Sequence, residues 1–334
     1  MYLLISTPLH VFLFDTETGK LSPWRTGDGY YFGVTQKHGT VVLSHSGGHL
    51  GFFGGNSNIP RFTINHLIQP HQIEWVEDKI LVTNTGKNCL SVFDESGNLW
   101  RDIYFNEIRW DDKDKGRLGN HFNSIHRKDD RVYMVSHNYS RPSELWILTW
   151  PELEVAETIV TEAAWAHNIW LGSPGKVICN SKFGSLYEVD SCETIWDSGE
   201  ENVMTRGLAV SDEYIFVGRS MYNERKTRSW KTGGLWIIDR KTLKTLETFT
   251  FPGSGDIQEI RLIDTPDECH NEQIISRKTL DYINKTSSFI NWAYRLRKSH
   301  PSLQDDVFPF SQSVRFFQMI PRWKKLWSEK SITI

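Results

Sequence analysis

Cysteine is scarce in this chain. Its 334 residues hold four, Cys89, Cys179, Cys192 and Cys269, and no two form a CxxC pair. That spacing excludes a zinc ribbon, a thioredoxin-like redox motif and a disulfide-stapled scaffold. Cys89 and Cys179 fall inside apolar strand patterns and read as small buried hydrophobes with reduced thiols. No stretch approaches the roughly 20 consecutive apolar residues of a membrane-spanning helix. Residues 1–8 offer no basic start, no long apolar region and no small-residue cleavage site, so no secretory leader is expected. These absences together predict a cytoplasmic protein. Excess charge is missing too. The formal net charge is −3, which gives no global electrostatic case for a nucleic-acid partner. No P-loop, GxGxxG after a strand, GxSxG or HExxH occurs, which removes the compact nucleotide-binding, hydrolase and zincin signatures.

What the chain does have is a repeat. Around His71 it reads as a strand, a polar turn at Glu77-Asp78-Lys79 and a returning strand that ends at Asn84. A polar residue (His71) stands two places before an apolar one (Ile73), and a new apolar strand starts seven places later at Ile80. The same frame fits Asn123, Ile125 and Val132, and Arg206, Leu208 and Ile215. With one more turn residue it fits His167, Ile169 and Val177, and a weaker copy runs through Phe32, Val34 and Val41. Repeats of about 30–50 residues built from short strands point to a propeller or a solenoid. Five four-stranded units follow, over residues 30–65, 71–105, 121–161, 167–196 and 206–251. The opening strands, 2–5 and 11–14, lack an inner partner, and residues 256–263 have the inner-strand pattern without a continuation. Joining the two makes a sixth unit and removes the exposed sheet edges. The expectation is an all-β, six-bladed β-propeller over residues 1–264, closed by its N-terminal strands. A helical extension follows over 265–334, with Leu280, Ile283, Ile290 and Tyr294 on one stripe. The basic, aromatic tail 321–327 is a candidate docking segment for another surface.

In such a ring, inner-strand starts and second-strand ends meet around one channel mouth. The inner-strand starts are Phe32, His71, Asn123, His167, Arg206 and Gln258. One alternation earlier come Tyr30, His121, Trp165, Met204 and Asp256. The second-strand ends add His45, Asn84, His137, Asn180 and Arg219. The set is rich in His and Asn and poor in carboxylates, with Asp256 and Glu162 the nearest acids. Three imidazoles from adjacent blades, His71, His121 and His167, predict a site for one divalent transition metal (zinc, iron or manganese), because nitrogen ligands with an open position suit those ions. Two other readings stand beside it: imidazoles bonded to neighbouring backbone, and metal-free acid–base work. Arg206, Asp256, His137 and Arg219 are the candidate catalytic residues. Asn84, Asn123, Asn180, Gln258, Tyr222 and Trp230 are the candidate substrate contacts. The last pair with Tyr222 and Trp230 lies in a long basic insertion, residues 220–231, that carries Arg225, Lys226 and Arg228 and reads as a mobile lid or binding loop. His38, His66, His126, His270 and His300 read as peripheral.

Two blocks carry a family resemblance: residues 205–209 (TRGLA) with 215–218 (IFVG), and 234–239 (GLWIID) with Glu259-Ile260. They resemble an uncharacterised bacterial family of NHL-like propeller proteins. More broadly, residues 1–264 look like the six-bladed propellers of the gluconolactonase, paraoxonase and strictosidine-synthase type. The lactonase-type members hold calcium through Glu, Asn and Asp around the channel, whereas the matching positions here are largely His, Asn, Arg and Gln. The functional expectation is an enzyme acting at the channel mouth on a small anionic substrate, with hydrolase or lyase chemistry. The alternatives are a non-catalytic ligand- or glycan-binding propeller and a protein-interaction scaffold.

Overall fold

The computed structural model describes residues 1–26, 31–54, 61–108, 119–173, 175–222, 227–229, 231–270, 274–275 and 279. Within them the chain forms six four-stranded antiparallel sheets. Five are continuous in sequence. The first comprises β4 (Tyr31–Lys37), β5 (Thr40–His45), β6 (His49–Gly54) and β7 (Arg61–Phe62). The second comprises β8 (Pro70–Val76), β9 (Lys79–Asn84), β10 (Cys89–Asp94) and β11 (Leu99–Ile103). The third comprises β12 (Phe122–Lys128), β13 (Arg131–Ser136), β14 (Glu144–Thr149) and β15 (Val155–Val160). The fourth comprises β16 (His167–Leu171), β17 (Lys176–Asn180), β18 (Ser185–Glu188) and β19 (Glu193–Asp197), and the fifth β20 (Val203–Val210), β21 (Tyr214–Met221), β22 (Gly233–Asp239) and β23 (Thr245–Phe251). The sixth is the predicted closure. β1 (Tyr2–Ser6), β2 (His10–Asp15) and β3 (Lys20–Thr26) are completed on the inside by β24 (Glu259–Leu262), with Leu3 opposite Leu262 and Ser6 opposite Glu259.

Apolar burial holds the ring together. Six clusters of fully buried side chains are each shared by two neighbouring sheets; one joins Leu3, Ile5 and Phe14 to Phe216 and Leu235, and another joins Leu4 and Leu13 to Val34 and Leu43. Hydroxyls add polar ties from one blade to the inner strand of the next. Ser44 Oγ donates to His71 O at 2.9 Å, and the Thr85 and Ser181 hydroxyls donate to Phe122 O and Thr205 O.

The two-residue step of the repeat acquires its physical meaning here. In a regular strand His71 and Ile73 would share a face. Each of the five inner strands, however, carries a bulge near its start, between Tyr31 and Val34, Pro70 and Ile73, Phe122 and Ser124, His167 and Ile169, and Thr205 and Leu208. A bulge re-aims side chains. It turns Phe32, His71, Asn123 and Arg206 to the channel while Ile73, Ile125 and Leu208 stay in the inter-blade cores. On β20 the bulge uses Gly207 at φ +80°, a conformation that glycine adopts without strain.

The channel is closed below. Arg261, fully buried, donates from Nε to Val34 O at 2.6 Å and from Nη2 to Ile73 O at 3.1 Å, so it bridges two neighbouring inner strands. Glu74 meets His126 Nδ1 at 3.2 Å, and Glu259 accepts from Asn168 Nδ2 at 3.1 Å. Residues 267–270 run under this layer. Asp267 accepts from the Val210, Leu262 and Cys269 amides, and His270 contacts Arg261. His126 and His270 are therefore core residues of the channel floor, 2% and 4% exposed, which corrects their reading as peripheral. The helical reading of 271–299 and the docking tail 321–327 fall almost wholly outside the described residues. Of the former, Ile275 is seen to bond Ile263 O and to join an apolar cluster. Among the described residues no helix is long and apolar enough to cross a membrane.

Candidate functional site

Above the plugged channel lies an open cavity of about 1410 Å³. Rings form much of its wall. Phe32 stacks on His71 (centroids 4.9 Å), His71 meets His121 (4.9 Å), and His121 meets His137 (4.8 Å). His137 then contacts His167 (5.4 Å) and lies parallel to Trp165 (6.1 Å, 6°), which lies parallel to Tyr222 (5.7 Å, 12°). The arc thus crosses five blades. Arg206, Gln258 and Arg228 line the remaining side. Its base narrows to a pit of about 10 Å³ bordered by Phe32, His71, Asn123, His167, Arg206 and Gln258.

Local bonding sets the tautomers of three histidines. His167 Nδ1 faces Trp165 O (2.7 Å) and Ser181 Oγ (2.9 Å), and the Ser181 hydroxyl is already donating to Thr205 O. Both partners of Nδ1 are acceptors, so the proton sits on Nδ1 and the lone pair on Nε2. His71 repeats the arrangement with Gln69 O (3.1 Å) and Thr85 Oγ1 (2.8 Å). His137 is the reverse: its Nδ1 accepts from the Tyr139 amide at 2.9 Å, so its proton is on Nε2. Burial, reinforced by Arg206 and the neighbouring imidazoles, holds His167 well below the usual histidine range.

The charged groups collect at one side. Arg206 is 7% exposed, and burial lowers its pKa to about 10, so it remains a cation at neutral pH. Gly218 lets its backbone sit close, since a Cβ there would come within 2.0 Å of Arg206 O. Behind Arg206 lies Asp256, 1% exposed, with Arg228 Nε 3.6 Å from its Oδ2. Burial raises the Asp256 carboxyl to about 6 against the opposing pull of Arg206 and Arg228. The Arg228 backbone carbonyl also accepts from the Asp256 amide at 3.1 Å. Within the insertion expected to be mobile, Arg228 thus meets Asp256 through both its backbone and its side chain. Arg225, Lys226 and Trp230 lie outside the described residues, as does Tyr30.

The other predicted residues divide by register. His71, His121, His137, His167, Arg206, Gln258 and Tyr222 reach the cavity, and Asn123 reaches the pit while donating to Ala166 O at 2.8 Å. Asn84, Asn180 and Arg219 do not line it. Asn84 Oδ1 accepts from the Ile68 amide and Asn180 Oδ1 from the Ala164 amide, so both pin the loop that enters their own blade. Arg219 forks onto Glu200 at 2.9 and 3.2 Å, and Glu200 also accepts from Trp236 Nε1. His45 shares their position and is likewise directed elsewhere, stacked on His49. One residue further along, Ser46 and His137 line the cavity, while Thr85 and Ser181 contact Nδ1 of His71 and of His167 from behind. The rings of the three proposed metal ligands are not gathered on one point. His137 stands between His121 and His167, and among the described residues no three His, Cys, Asp or Glu side chains are placed to hold a metal ion. Missed by sequence reasoning were Tyr139, Arg141 and Lys182, which lie on loops outside the repeat frame.

Sheet order, closure and the one-sided cavity define a six-bladed β-propeller. No known sequence family and no curated protein matches the chain. Among solved structures, it is similar to a protein of unknown function from Bacteroides caccae (TM-score 0.55, 11% identity, 78% of this chain and 97% of that one). It is equally similar in coverage to a chain of the nidogen/laminin complex (TM-score 0.53, 11% identity, again 78% and 97%). At that identity the likeness speaks for the fold alone.

Proposed function

We propose that the protein binds a small anionic ligand in the cavity at the mouth of its propeller. The observation that carries this reading is the charge of the wall. Among the described residues, Arg141, Lys182, Arg206 and Arg228 line it against the single carboxylate Glu162, on a chain whose net charge is −3. Low-dielectric walls focus such a field, and the planar fork of a buried arginine suits an oxyanion. The ring arc gives the rest of the ligand an apolar face. Calorimetry with carboxylates, sulfates and phosphates against size-matched neutral compounds tests the proposal; equal binding of the neutral set would refute it.

A second, catalytic reading draws support from the tautomers. His137 carries its proton on Nε2 while the adjacent His167 carries a lone pair there, which supplies an acid and a base within one wall. Hydrolase or lyase chemistry on a bound anion would fit this pair. Turnover of a ligand found by calorimetry, lost in both H137F and H167F while binding persists, is the expected result.

A further inference from the structure

The base of the cavity contains buried polar atoms that the fold itself leaves unbonded. Arg206 Nε is a buried donor without a partner. Gln258 turns its Nε2 toward Asp256 O, at a long 3.5 Å, and its Oε1 is buried without a partner. Buried polar groups are nearly always satisfied, so each exception in one place asks for an explanation. His167 supplies a third group at the same pit, an Nε2 lone pair fixed by the two acceptors that hold Nδ1. The pit therefore presents one cationic donor beside two neutral acceptors.

That combination is selective. A bare carboxylate answers the arginine and leaves both acceptors without a proton to receive. A neutral polyol does the opposite. A sulfate ester on an apolar group fails in the same way as the bare carboxylate, since its oxygens only accept. Building on the anion-binding reading above, we propose that the ligand is a polyhydroxy carboxylate, of the sugar-acid class. Its carboxylate lies on Arg206, and a neighbouring hydroxyl donates to Gln258 Oε1 or His167 Nε2. A saturated ring or chain of the ligand then rests against the aromatic arc, its apolar C–H face toward Phe32 and His71.

The test is calorimetry on the full chain with matched probes: a panel of aldonates, uronates and quinate, against cyclohexanecarboxylate, inositol and cyclohexyl sulfate. At least one hydroxylated carboxylate should bind tenfold or more tighter than cyclohexanecarboxylate, inositol and the sulfate. Gln258→Leu or His167→Phe should erase most of that preference while leaving cyclohexanecarboxylate binding within about twofold, because each removes an acceptor and no charge. Cyclohexanecarboxylate or the sulfate binding as tightly as every hydroxylated carboxylate would overturn the ligand class and leave the anion site standing. No binding by any anion would overturn both. A full preference retained in both Gln258→Leu and His167→Phe would show that the pit does not read the hydroxyl.

Discussion

The mouth and the floor of the channel are built from the same residue types, yet they differ in how their charges are satisfied. On the floor every buried carboxylate is bonded. Glu74 takes His126 and the Arg127 amide, Asp267 takes three backbone amides, and Glu259 takes Asn168, the Ile260 amide and Arg261. At the mouth, Asp256 has neither oxygen in a hydrogen bond, and Arg206 Nε and Gln258 Oε1 have no partner. Burial alone does not separate the two regions, since Asp256 and Glu259 are each 1% exposed. Bonded carboxylates fix the floor, although His270 Nδ1 there is also without a partner; unbonded groups beside a cavity can instead serve recognition of something that arrives later. The contrast places Glu74, Arg261 and Asp267 with the bonded fold, and it is the ground on which binding roles are proposed for Arg206 and Gln258.

The largest expected effect is one that cannot tell the regions apart. β24 feeds both, with Gln258 just before it at the mouth and Glu259 and Arg261 on the floor, and its strand partner is β1. Deleting residues 1–14 removes that partner and five fully buried apolar side chains, Leu3, Leu4, Ile5, Val11 and Phe14. At about 1.5–3 kcal/mol each, the loss is roughly 7–15 kcal/mol, comparable to the whole stability of a typical domain. The truncated chain should show no cooperative thermal transition; an unchanged Tm would break the closure argument. Arg261→Met comes next and isolates the floor. It leaves Glu259 and two backbone carbonyls without their cation, and it should cost about 3–5 kcal/mol in urea unfolding. Anion affinity of the folded protein should hardly change, because Arg261 lies below the pit.

The sequence carried the blade count, the closure and the inner-strand starts, because each depends on apolar spacing that survives without side-chain detail. It failed on the second strands. Asn84, Asn180 and Arg219 do not line the cavity, and the residues after them, Thr85, Ser181 and Ser220, are spent on His71, His167 and the Ile257 amide. His137 was placed correctly because in its blade the chosen residue lay one position later. The floor was hidden for another reason. Glu74, His126, Asn168 and Arg261 are polar residues in strands that are otherwise mostly buried, and that pattern was the available signal. Which of them are mutually satisfied depends on distances between blades, which no local pattern contains.

Arg206→Lys isolates the mouth. The substitution keeps a cation but loses the planar fork, so anion affinity should fall by about 1.5–3 kcal/mol, the range for hydrogen bonds to charged groups. Stability should move by less than about 1 kcal/mol, as the guanidinium's Nε makes no hydrogen bond to the rest of the fold. A large drop in Tm with unchanged affinity would place Arg206 with the floor residues and dissolve the distinction between the regions.

The smallest effect concerns Asp256 and protons. Its carboxyl is raised to about 6, burial outweighing Arg206 and Arg228. Above that pH it is ionised and competes with an anionic ligand for the same two cations; below it, the competition ends. A carboxylate ligand stays ionised down to about pH 4, so its affinity should rise as pH falls through about 6, by on the order of 1 kcal/mol, the scale of a partly screened charge pair. Histidines on the cavity wall, His71, His121 and His137, would push in the same direction if they gained protons, so the wild-type profile alone is ambiguous. Asp256→Asn resolves it. The variant should bind at pH 7.5 as the wild type does near pH 5, and what pH dependence remains belongs to the imidazoles. Stability gives an independent sign. An aspartate with a folded pKa above its unfolded value near 3.8 binds more protons when folded, so the wild type loses stability as pH rises from about 4 to about 6. Asp256→Asn should therefore be more stable than the wild type above pH 6 and similar to it below pH 4. If the variant is instead destabilised at pH 7.5, Asp256 is a structural counter-ion for Arg206 and Arg228, and the mouth is satisfied in the same way as the floor.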